Sequence, residues 1–208
     1  MFSLLLVAHL SLLAPSIQGA QNSVVLDRML AIVNGEVVTM SDVRAGRQLK
    51  LIAGADAMSD EQLLDALIER RLTVAEVGRY TAAQPASLDV EARQRAWESS
   101  LPRGVTAAAA LASVGMRAAA LIAWFRDDLR LAAYLDQRFT AAAQPTRQQA
   151  LAYFEQHAAD FAVNGATPEF ASVEPEVRRR VATERRAARI KDWVESLKQR
   201  AEIRRLGK

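Results

Sequence analysis

The chain has 208 residues, of which 25% are charged and 50% hydrophobic, with a formal net charge of +3 and no cysteine. That composition suits a soluble globular protein with a sizeable core. It excludes disulfides, thiol catalysis and cysteine-based zinc sites, it is no polycation, and it is compatible with an oxidising compartment.

The first element is an apolar run over residues 2–14, of signal-peptide length and too short for a comfortable membrane span. Pro15 breaks it, and Gly19-Ala20 supplies small residues for cleavage after Ala20. No Lys or Arg precedes the run, and Gln18 is not small. An uncleaved anchor or a buried helix is the other reading. The expectation is an export signal over 1–20, a mature chain over 21–208 with no further membrane span, and a periplasmic location.

Residues 24–33 and 36–39 read as two strands around Asn34-Gly35. A two-residue turn of type I′ needs positive φ at both central positions, which Asn and Gly tolerate at least cost. "TMSD" matches a capping box, with Thr39 as the cap and Asp42 reaching back to its amide. The hairpin thus feeds a helix over 40–53. Ser59 and Gln62 form a second box ahead of a helix over 60–80, with Leu63, Leu64, Leu67, Ile68, Leu72 and Val74 mostly at helical spacing. Ser87 is placed to cap a helix through Trp97, and Thr106 to cap a short one.

The longest unbroken segment, 116–139, carries two apolar stripes. One contains Ala118, Leu121, Ile122, Phe125, Leu129 and Ala132; the narrower one contains Trp124, Leu131, Leu135 and Phe139. A helix apolar on two sides is covered on both, which predicts a central position. Thr146 caps a helix through Phe161, and a last helix covers 173–201. "AEIRRL" alternates and could form a strand. The expected fold is mainly α, with a small antiparallel sheet formed by the hairpin and the C-terminal strand.

Little chemistry is encoded. There are two histidines, and His9 leaves with the signal. His157 alone reads as a solvated side chain, and Asp127, Asp128 and Glu184 as parts of solvated helix faces. No metal-ligand cluster, phosphate loop or nucleophile elbow is present. The expectation is no catalytic residue, metal or cofactor. "EVRRRVATERRAARIK", residues 176–191, is the most charged stretch. A nucleic-acid or anionic-membrane helix is one reading, but Val177 and Val181 share one face and the arginines lie mainly on the exposed side near Glu176, Glu184 and Asp192, so the solvated face of a core helix is preferred.

With the leader ahead of it, "LDRMLAIVNGEVVTMSDV" resembles the opening of the SurA-type periplasmic chaperones. Asp27, Ala31 to Asn34, Val37 to Thr39 and Ser41-Asp42 stand in the family's positions. "LLDALIERRLTVAEV", "LRLAAYLDQRF", "ALAYFEQHAADF" and "RRAARIKDWVESLKQRAEIRRL" resemble its later helices and closing strand, in order. Most relatives carry a parvulin-type prolyl isomerase domain before the last helix. Here that interval is a short loop, 162–168, between a hairpin-plus-helix part (21–161) and a terminal helix and strand (169–208).

The resemblance implies an ATP-independent holdase without isomerase activity. It would bind unfolded or outer-membrane client polypeptides, with no nucleic acid. Aromatic and Met side chains suit such a surface, and Trp97, Met116, Trp124 and Tyr134 are the candidates. Taken singly, each reads more readily as core. Trp124 is expected to be partly exposed and Phe125 buried. The alternative is an adaptor of the same fold binding one dedicated partner, with the basic last helix as its candidate surface.

Overall fold

The computed structural model describes residues 27–80, 84–162 and 166–206. The expected leader and its cleavage site lie outside the described residues. The hairpin joins β1 (Met29–Val33) to β2 (Glu36–Thr39). Its turn has φ of 49° at Asn34 and 88° at Gly35. The register pairs Val33 with Glu36 and Ala31 with Val38, and slips between Met29 and Ala31. Leu30 is therefore the extra residue of a bulge. Of the strand expected over 24–33, residues 24–26 lie outside the described residues, and Asp27 and Arg28 are not strand but serve the first helix. The Arg28 carbonyl accepts the Met40 N–H at 2.8 Å, and the Asp27 carboxylate accepts the Ser41 N–H at 3.1 Å.

The C-terminal strand β3 (Ile203–Arg205) lies antiparallel on the other side of β1, giving the order β2-β1-β3. Asn34 serves both the turn and this closure. Its backbone N–H donates to the Glu202 carbonyl at 2.8 Å, and its side-chain oxygen accepts the Glu202 N–H at 2.9 Å. One residue thereby fixes both neighbours of the central strand. A lone hairpin is marginal in water, and a third strand plus helices beneath it provide what it lacks.

Helix α1 (Met40–Gln48) starts from the Thr39/Asp42 box, with both reciprocal bonds present. It ends five residues before the expected 53. Lys50 turns to φ 52°, and the Leu51 N–H closes back on the Gly46 carbonyl at 3.0 Å. Helix α2 (Asp60–Gly78) begins at the Ser59/Gln62 box. Helix α3 (Ser87–Ser99) has Ala86 as its N-cap, so Ser87 is the first helical residue and not the cap. Thr106 caps α4 (Ala107–Ser113).

Helix α5 (Ala118–Phe139) starts after Met116, whose N–H is taken by the Leu111 carbonyl. Thr146 caps α6 (Arg147–Gln156), which ends before a separate 3-10 turn at Ala158–Phe161. Helix α7 (Phe170–Arg200) starts before the expected Val173 and runs through Pro175. Pro175 lies one turn inside the helix and has no N–H to offer the Ala171 carbonyl, so the start of α7 forgoes that bond. The packing of Phe170 and Val173 beside Phe154 holds that first turn in place.

The described residues form seven α-helices and one small antiparallel sheet, so the fold is mainly α. Three apolar clusters organise it. The main one joins the sheet, α2, the end of α5 and the end of α7 through Val38, Leu67, Tyr134, Phe139 and Trp193. A second joins the end of α1 to α3, α4 and the start of α5, with Trp97, Leu121 and Phe125 buried. The third packs α6 on the first half of α7. Helix α5 is central because its two ends serve two clusters. Ala118 and Ala132, counted with its broad stripe, are exposed.

Candidate functional site

The site is a groove of about 400 Å³ between β2, the start of α1, α2 and α5. Val38 and Leu67, both buried, lie along its floor. Val74, Met116 and Trp124 add apolar surface. The facing helices contribute alanines here, Ala75 from α2 and Ala120 and Ala123 from α5. Those small side chains are what leave the concavity open.

Trp124 is the hinge of the arrangement. It is half-buried and packs against both the main and the second cluster. Arg70 of α2 lies over its ring, with the guanidinium carbon 3.4 Å from the ring centroid. That is a desolvated cation–π contact. The same guanidinium donates to the Trp124 carbonyl at 3.1 Å and to Asp128 Oδ1 at 2.9 Å. Arg70 Nε and the Trp124 indole N–H are buried without an acceptor in hydrogen-bond geometry.

Burial drives the electrostatics. It pushes the Asp128 carboxyl above its ordinary range, opposed by the Arg70 charge and more weakly by Arg93. It pushes Arg70 down, opposed by Asp128. Each group compensates a partner that would be costly to leave alone. At the rim, Arg71 donates to Glu36 at 2.8 Å and reaches Asp42 at 3.5 Å, and Asp127 lines the α5 side. The groove therefore offers an apolar bed, a shielded cation at its side and charged lips of both signs.

Of the four expected contact residues, the structure brings Met116 and Trp124 together in this groove. Trp97 and Tyr134 lie in the core instead. Trp97 is 7% exposed and spends its indole N–H on the Leu49 carbonyl at 2.9 Å. Tyr134 is 9% exposed, packs between the tilted rings of Tyr80 and Trp193, and accepts a hydrogen bond from Arg138. Asn34, Gly35, Thr39 and Asp42 sit in the turn and cap, and Asp42 also reaches the groove lip. Two side chains read as solvated are not. Asp128 is half-buried against Arg70, and His157 stacks on Tyr153 with centroids 4.1 Å apart.

Arg70 went unnoticed in the sequence, although a signal was there. Leu63, Leu67, Arg70, Val74 and Val77 follow one helical row, so a cation interrupts the apolar face of α2. Among the described residues, no group of His, Cys, Asp or Glu side chains could hold a metal ion, and no single helix is long and apolar enough to cross a membrane.

No protein-family model matches the chain, and no curated protein matches its sequence. The fold does match a solved structure from Campylobacter jejuni, with a TM-score of 0.57 and 14% identity, over 87% of this chain and 100% of that one. That structure belongs to work describing the virulence factor PEB4 and the periplasmic protein Cj1289 as two structurally related SurA-like chaperones of that human pathogen. The chain therefore has a SurA-like chaperone fold.

Proposed function

We propose that the protein is a periplasmic, ATP-independent holdase that keeps unfolded or outer-membrane client polypeptides from aggregating. The observation that carries this reading is the open groove walled by Met116, Trp124 and three alanines, on a SurA-like fold. Apolar client side chains would enter the space left by the alanines. Met116 adapts to their shape, since its thioether chain is flexible and polarizable. The Glu36, Arg71 and Asp127 lips would keep the vacant groove wetted. Holding of this kind needs contact and exclusion of other chains, with no bond made or broken. The protein acts without enzymatic turnover and without a prolyl isomerase activity, since the chain between Phe161 and Phe170 is too short for a domain.

The test is aggregation suppression with several unrelated unfolded clients, beside isomerisation of a proline-containing tetrapeptide. The expected result is suppression for all clients and isomerisation at the uncatalysed rate. Suppression of one client alone would favour a dedicated adaptor, and no suppression would refute the holdase. An accelerated tetrapeptide would overturn the non-catalytic reading.

A further inference from the structure

Helix α7 carries one apolar row that changes partner halfway along. In its second half, Ile190, Trp193 and Leu197 face the main cluster. Running back along the same row at helical spacing, the positions are Arg186, Ala182 and Arg179. The first half of α7 already buries a different row, Val177 and Val181, against α6. The basic row thus lines two adjoining hollows of about 470 and 550 Å³, which share Thr183 and Arg186, the first walled on its other side by Thr140, Ala143 and Gln144. They extend from Pro175 to Glu195, a length of roughly 30 Å at the rise of an α-helix.

The charge of this groove is not balanced internally. Arg186 and Lys191 have no ion-pair partner among the described residues, and Arg186 Nε is buried without an acceptor. Arg179 reaches Glu176 only at 4.0 Å, while Arg178 is held by Glu174 at 3.4 Å. The carboxylates at the far end, Glu69 and Glu195, are both occupied by Lys198. Between the cations lie Ala182, Ala187, Ile190 and Val194. We propose that this strip is a second binding surface, taking a polypeptide segment in which carboxylate side chains alternate with apolar ones. The strip is a trough that spans two hollows along one helix, which fits a chain lying lengthwise better than the flat face of a bilayer. Apolar contact flanked by cations, with Arg179 and Lys191 exposed and Arg186 half-buried, is the combination such a segment satisfies.

The test uses the full chain and a labelled peptide of repeating Glu and Leu, read by fluorescence anisotropy, with a Lys-for-Glu peptide as comparison. R186E/K191E is set against R44E/R103E, which makes the same change in net charge at exposed sites away from α7. Circular dichroism verifies that both variants fold. The acidic peptide should bind, weaken with salt, and lose about tenfold or more in affinity for R186E/K191E, with R44E/R103E unchanged. Trp124→Ala, in the other groove, should leave this binding unaltered, so failure here is separable from failure of the holdase reading. Equal loss in the two charge variants, or equal binding of the Lys peptide, would overturn the proposal. So would R186E/K191E-sensitive sedimentation with anionic phospholipid vesicles in the absence of peptide binding.

Discussion

The sheet and the α2–α5 wall enclose the same main cluster, but they are held by opposite means. The sheet uses backbone hydrogen bonds between chain segments that are far apart in sequence, secured by Asn34 at the turn. Its polar groups are paired with one another and cost little to keep. The wall uses a half-buried ion pair, Arg70 with Asp128, pressed onto Trp124 and leaving two buried N–H groups unpaired. A purely apolar wall would be as stable or more so, because desolvating two charges consumes much of what their attraction returns. The sheet is therefore the stabilising half, and the wall is the half to which the proposed function assigns client holding. The difference also places the groove where the structure is costly to build.

The largest expected effect lies just behind the wall. Phe125 is 2% exposed and packs beside Trp97. Phe125→Ala should destabilise by about 3–5 kcal/mol, as large core truncations do. Trp124→Ala, one residue away and half-buried, should lose far less stability and yet weaken client holding. Paired thermal melts and aggregation assays check both; reversed outcomes would mean that the two faces of α5 are exchanged.

The ion pair comes next. Arg70→Met strands the Asp128 carboxylate in a half-buried site, at a cost of roughly 2–3 kcal/mol after allowing for its residual exposure. Adding Asp128→Leu should restore most of that loss. Denaturant melts of the two singles and the double give the coupling directly. A double variant as unstable as the sum of the singles would contradict the view of the wall as an electrostatic compromise.

The sheet should respond to backbone chemistry alone. At Gly35 a Cβ would meet nothing within 4 Å, but φ is +88°. Gly35→Val should therefore cost about 1–3 kcal/mol through strain and not through a clash. Deleting residues 202–208 should cost a comparable amount, since it removes β3 and the Asn34 contacts. An unchanged melting midpoint for the deletion would show that the terminal strand contributes nothing to the closure.

What the sequence disclosed follows the same division. The hairpin turn, the two capping boxes and the Thr146 cap are local signals, and they stand where the sequence places them; that Thr146 forms a full box with Gln149 is a finding of the structure. The path of the C-terminal strand was readable from its alternation. The wall was not, because Arg70 and Asp128 lie 58 residues apart and nothing local marks Asp128 as half-buried. The same limit explains Trp97 and Tyr134. Their composition suits a binding surface, but whether a stripe meets core or solvent depends on which helix lies across it. Helix ends differed for two reasons: a local left-handed cap at Lys50 closes α1 early, and a tertiary contact at Phe170 extends the start of α7.

The smallest expected effect is a pH dependence. Lys198 ties α7 to α2 through Glu69 at 2.6 Å, and bonds Glu195 at 2.9 Å. Those two hydrogen bonds raise its ammonium above the ordinary 10.5. The raised value means that its contribution is fully present below pH 10.5 and is lost as pH rises through the folded value. Lys198→Met should lower the melting midpoint slightly at pH 8 and flatten its fall above pH 10.5. A variant with the same alkaline profile as the parent would remove Lys198 from the account.

The groove itself is tested most directly by a photo-cross-linking residue placed at Met116 and, separately, at Leu88. Leu88 is apolar and 70% exposed but lies outside the groove, so it controls for stickiness. With unfolded client present, adducts should form from position 116 and be nearly absent from position 88. Adducts of equal yield at the two positions, or adducts from position 88 alone, would contradict the assignment of client holding to the α2–α5 groove.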